Sequence, residues 1–172
     1  LDRKLEYLQC AACRGTFGMD LLQAPQGHQG EMTSIVPFEE DLVRAMATIM
    51  LEDGGIDPAE ILASQFAFQR LTGNELSREE LGVICDHVSR MKQSTINFLR
   101  QSEDRWDDEQ KTKLVQAIFW TASASGSISA KRTEAFMALG QTLNISEERY
   151  KEIIAITLEW NHDLPRRISR PH

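Results

Sequence analysis

The sequence predicts an all-α protein: a bundle of about seven helices, two of whose helix-turn-helix units are related by approximate symmetry. Apolar residues recur at three- and four-residue steps along nearly the whole chain, and no stretch shows the two-residue alternation of a strand. A glycine turn with matching flanks also occurs twice, 72 positions apart, at Asp53 and Ser125. Repetition at a fixed offset points to a duplicated unit.

The first copy reads Asp53-Gly54-Gly55-Ile56-Asp57-Pro58-Ala59-Glu60, and the second Ser125-Gly126-Ser127-Ile128-Ser129-Ala130-Lys131-Arg132. Leu42 corresponds to Leu114, Val43 to Val115, Ala45 to Ala117, Ala63 to Ala135 and Leu71 to Leu143. One copy is acidic and the other is not.

The elements follow in chain order. Leu1, Leu5, Leu8 and Ala12 predict a first helix continuing to about Leu22. Residues 24–37 carry Gly and Pro breakers without a period and read as a connector. From Phe38, a stripe of Leu42, Ala45, Met46 and Ile49 predicts a helix ended by Gly54-Gly55. Asp57 caps the next, with Pro58 at its first position and Glu60 completing a capping box. That helix ends at Thr72-Gly73-Asn74, and Ser77-Arg78-Glu79-Glu80 opens another. Leu81, Ile84, Cys85, Val88, Met91, Thr95, Phe98 and Leu99 trace a single face over nearly five turns, which predicts one long central packing helix. After Ser102-Glu103-Asp104-Arg105, the stripe of Leu114, Ala117, Ile118 and Thr121 begins the second unit, Ser129 is its N-cap, and Phe136, Leu139 and Leu143 face inward. Ser146 starts a last helix with Tyr150, Ile153, Ile154, Thr157 and Trp160 on one side, ended by Leu164-Pro165. The expected organisation is a helix and linker over 1–37, a helical domain over 38–163 and a basic tail over 164–172.

Composition limits the function. The 172 residues, 41% hydrophobic, suffice for one domain with its own core. A formal charge of −7 disfavours general nucleic-acid binding, which needs a basic footprint. No apolar run is long enough to cross a bilayer. The chain opens at Leu1 without a leader pattern and reads as a trimmed piece of something longer. Three cysteines, Cys10, Cys13 and Cys85, fit a reduced, cytoplasmic chain better than a disulfide framework. Arg166, Arg167 and Arg170 could touch anionic lipid as a peripheral contact, although a solvated tail is the simpler reading.

The acidic turn is the one candidate site. In the register of a calcium loop, Asp53, Gly54, Ile56, Asp57 and Glu60 fall on positions five, six, eight, nine and twelve. Positions one and three are Ile49 and Leu51, which offer no side-chain oxygen, so a tight calcium hand is excluded. A weaker site for a divalent cation such as calcium remains open on Asp53, Asp57 and Glu60, with Glu52 beside them, since hard cations take oxygen ligands. The competing reading makes Asp57 and Glu60 capping groups and leaves Glu52 and Asp53 solvated. The second copy, with Ser125, Ser129 and Arg132, keeps the turn and its caps but loses the matching charges. The turn is therefore structural first, and any ion belongs to the first unit.

Other patterns are weaker. Cys10-Ala11-Ala12-Cys13 has half of a zinc or redox motif without a second pair. His28, His87, His162 and His172 are scattered, and neither a nucleophile elbow nor a phosphate-binding glycine loop occurs. No catalytic residue is identified, and the expectation is a protein without enzymatic activity.

The segment from Phe38 to about Trp160 resembles the TerB-like tellurite-resistance family and the related domain of membrane-anchored DnaJ-like co-chaperones. The resemblance rests on the duplicated turn, the exit from Leu71 to Leu76, and Leu143-Asn144-Ile145-Ser146-Glu147-Glu148. It implies a fold of about seven helices with pseudo-twofold halves, no established catalysis, a protein partner, and metal-ion sensing or stress response near the inner membrane. The family's acidic turn falls on Asp53, Asp57 and Glu60. The departure at Ser125 and Arg132 puts a two-site metal mechanism in doubt. A scaffold domain of a larger, membrane-associated protein without a metal site is the alternative.

Overall fold

The structure, a computed structural model, describes residues 37–163. The expected helix through Leu22, the connector before Pro37, the Cys10 and Cys13 pair and the basic tail lie outside the described residues. The described chain is all-helical: α1 Pro37–Leu51, α2 Pro58–Thr72, α3 Arg78–Met91, α4 Thr95–Ser102, α5 Asp108–Ala122, α6 Ala130–Thr142 and α7 Glu147–Leu158. Short 3-10 segments follow α4 at Glu103–Arg105 and α7 at Glu159–Asp163. Seven helices and no strand among the described residues make this an all-α bundle, as the periodicity requires.

Local hydrogen-bond chemistry sets the helix ends. Asp57 accepts from the Ala59 amide at 2.7 Å while Glu60 accepts from the Asp57 amide at 3.3 Å, closing a capping box around the orphan donors of α2. Ser77 and Glu80 do the same for α3. Asp107 and Gln110 form a third box at the start of α5, which the sequence reading passed over. Ser129 and Ser146 cap α6 and α7. α2 ends at Gly73, whose φ of 80° is open to glycine without strain.

The two central helices are α1 and α5. Residues 41–50 of α1 are all buried, because α2, α3, α4 and α5 pack around it. A helix covered on every side must satisfy its polar groups internally. Asp41 accepts from Arg105 at 2.7 Å and from the Trp106 indole at 2.9 Å, and the Thr48 hydroxyl donates to the Ala45 carbonyl at 2.7 Å. The Arg44 guanidinium lies over the Phe98 ring at 5.6 Å and donates toward the Met91 sulfur at 3.7 Å. α3 packs on α1 and α7 packs on α5, as a duplicated unit would require. α4 belongs to neither copy and packs against both α1 and α6.

One expected element is corrected. The stripe from Leu81 to Leu99 is two helices, broken where Lys92 takes a left-handed φ of 50° and Ser94 caps α4 by accepting from the Asn97 amide. Both pieces turn apolar residues toward one core, so the stripe continues although the backbone does not. The same geometry moves the central role to α1 and α5. The last helix also ends earlier than expected, with Trp160 carried on the 3-10 segment after α7.

The duplication is visible in the backbone. Gly54 has φ 84° and donates its amide to the Leu51 carbonyl at 2.9 Å; Gly126 has φ 82° and donates to the Ser123 carbonyl at 3.3 Å. Two glycine corners of one shape follow two equivalent helices, α1 and α5.

Candidate functional site

The acidic turn meets its own counterpart across the pseudo-twofold relation. Glu60 and Arg132 occupy equivalent positions, each the third residue of its helix, and Arg132 Nη1 donates to Glu60 Oε1. Arg132 Nη2 donates to the Met50 carbonyl at 3.0 Å. Arg132 Nε lies 3.1 Å from Asp53 Oδ2, an ion-pair contact whose alignment falls short of a hydrogen bond. The Ser129 hydroxyl donates to Asp53 Oδ1 at 2.6 Å, so Asp53 is held by the second copy at both oxygens.

Burial gives these contacts their weight. The side chains of Glu60 and Arg132 are 1% and 4% exposed, whereas Asp53 is 34% exposed. A buried carboxylate needs an opposite charge or a set of hydrogen bonds, because water no longer solvates it. The guanidinium supplies both, and its planar fork spreads donors over two carboxylates and a helix-terminal carbonyl at once. Met50 lies in the last turn of α1, where carbonyls lack intrahelical partners, so the cation also meets the negative end of that helix.

Asp53 and Glu60 are thus brought together, and the group between them is a side chain of this chain. Asp57 is turned back to the α2 N-terminus as its cap. Glu52 points away, with its carboxylate 3.4 Å from the Thr95 hydroxyl. Among the described residues, no three His, Cys, Asp or Glu side chains are placed to hold a metal ion. Arg132 is the residue that sequence reasoning missed. The available signal was a reversal of sign at matched positions, glutamate in one copy and arginine in the other, which become partners where the two turns meet.

The other described residues singled out in the sequence lie away from this turn. Cys85 is buried on α3, and burial, with the Asp86 carboxylate beside it, pushes its thiol up to about 12. The folded state therefore favours the neutral thiol: that stabilisation is complete below the ordinary thiol range and is lost as pH rises toward the folded value. With Cys10 and Cys13 changed to serine, Cys85 is expected to resist a thiol-specific reagent at mildly alkaline pH and to react fully in denaturant. Immediate reaction of the native protein would contradict its burial. His87 is held below its usual range by burial, then by Arg44 and Arg90. His162 lies 3.5 Å from Glu159.

No family model matches the chain, and no curated protein or solved structure matches it either. No described helix is long and apolar enough to cross a membrane.

Proposed function

We propose that the protein is a non-catalytic, TerB-like helical module for protein interaction in a stress or metal-response setting, whose acidic turn is satisfied from within and holds its shape without a divalent cation. The carrying observation is Arg132, a buried cation between Asp53 and Glu60 in the position that a bound ion would need. A hard divalent ion gains its affinity from converging oxygen ligands, and here two carboxylates and the Met50 carbonyl are already engaged by one guanidinium. A turn bridged by a guanidinium of the same chain needs no ion to join the two halves, which suits a scaffold better than a sensor. The TerB-like reading is supported by the two equivalent glycine corners and the matched helix pairs.

Calcium titration followed by amide NMR tests this. The amides from Gly54 to Glu60 are expected to stay unshifted at millimolar calcium. In an Arg132→Glu variant, which sets a third carboxylate beside Asp53 and Glu60, the same amides are expected to shift saturably and calcium to raise the unfolding midpoint, since a ligand that binds only the folded state stabilises it. Saturable shifts in the unaltered protein would overturn the proposal in favour of a metal-responsive module.

A further inference from the structure

Asp53 is the only aspartate or asparagine in the chain that is followed by glycine. In such a pair the backbone nitrogen reaches the preceding carboxyl most readily, because glycine sets no side chain beside the reacting atoms. The turn is sterically open, since a Cβ added at Gly54 would meet nothing within 4 Å. Water also reaches it, with the Asp53 side chain 34% exposed. What restrains the pair is polar. The Ser129 hydroxyl donates to Asp53 Oδ1 at 2.6 Å, Arg132 Nε stands 3.1 Å from Oδ2, and the Gly54 amide donates to the Leu51 carbonyl at 2.9 Å. Two of these three restraints come from the second copy.

We propose that Asp53 is a latent self-modification site: when the contact between the two copies opens, Asp53-Gly54 converts to isoaspartate, and the conversion loosens that contact for good. The Gly54 nitrogen attacks the side-chain carboxyl carbon of Asp53 and gives up its proton as the carboxyl loses an oxygen as water, which closes a cyclic imide. Water then opens the imide at the main-chain carbonyl, so that the chain runs on through the former side chain, or at the other carbonyl, which restores aspartate. One water leaves and one is taken up, and no oxidant or cofactor takes part. To reach the Gly54 nitrogen, the carboxyl must leave Ser129 and Arg132, and the amide must leave Leu51. The neighbouring positions are closed to this chemistry: Ser125, before Gly126, has no carboxyl, and Asp57 precedes Pro58, whose nitrogen has no proton to lose. Isoaspartate adds one carbon to the main chain and shortens the arm that carries the carboxylate, so the anion no longer spans the distance to Ser129 and Arg132. The inference rests on the observed contacts of Asp53 and stands whether or not the protein is an interaction module.

The full chain tests it, incubated at neutral pH both folded and held unfolded in urea. Peptide mapping with electron-transfer fragmentation, which tells the two isomers of equal mass apart, follows isoaspartate at position 53. The folded chain is expected to convert more slowly by on the order of tenfold or more, because reaction proceeds only through the open fraction. An Arg132→Met, Glu60→Met, Ser129→Gly triple variant frees Asp53 of both contacts, leaves no buried carboxylate alone and keeps a residue accepted at an N-cap. While folded by circular dichroism, it is expected to convert severalfold faster than the unaltered protein. The isoaspartate form of the unaltered chain, separated by chromatography, should unfold at lower urea than its parent. Conversion of the folded chain at the unfolded rate would overturn the proposal without recourse to any variant. So would a folded triple variant no faster than the unaltered protein, or equal unfolding midpoints for the two isomers.

Discussion

Arg132→Ala is expected to lower the unfolding free energy by about 3–5 kcal/mol, the range for removing one partner of a buried ion pair. Most of that loss comes from Glu60, left 1% exposed without a cation, and the rest from Asp53 and the Met50 carbonyl. Urea unfolding measures it, with an unchanged slope showing that the native state keeps its compactness. A double variant, Arg132→Met with Glu60→Met, should recover much of the loss, because an apolar pair of similar volume leaves no charge to desolvate. A single-variant loss below about 1 kcal/mol would mean that the pair behaves like a solvent-exposed one, and the account of the site would fail.

Trp160→Ala is expected to cost a similar amount, about 3–5 kcal/mol for truncating a large buried aromatic side chain. Trp160 is 4% exposed and lies 5.4 Å from Trp120 and 6.2 Å from Phe66, with the Arg70 guanidinium 5.1 Å above its ring. It joins the end of the second unit to α2 of the first, so the cavity opens at a junction between the halves. Arg70→Ala should cost much less, since its ion pair with Asp163 is largely solvated and exposed pairs contribute about 0–1 kcal/mol. Equal losses in the two variants would show that the arginine contributes as much to the junction as the indole, against this account. Hydrogen exchange gives a second readout: in Trp160→Ala, protection should fall first in α7.

Four helix N-termini were legible residue by residue. Asp57, Ser77, Ser129 and Ser146 were readable as caps because a cap bonds amides two or three residues away, a distance that sequence spacing states directly. The glycine corners were legible for a related reason: a left-handed φ favours glycine, and Gly54 and Gly126 share that conformation. The break at Lys92 was not legible. Lysine is not a residue that announces a left-handed turn, and the apolar stripe continues across it.

The candidate site was half readable. Its carboxylates stood out in the chain, and Asp57 and Glu60 were recognisable as capping groups. The guanidinium that answers Glu60 comes from a residue 72 positions away. Local pattern reports which side chains share a helix face or a turn, because those relations follow from the helical repeat alone. Which residue fills the space opposite Glu60 depends on how the two halves dock, and that is set by the summed packing of α1, α2, α5 and α6. The amino-acid order therefore determines the all-helical class, most of the helix caps and a doubled unit, while the pairing of an acidic turn with a buried arginine arises only when the two copies meet.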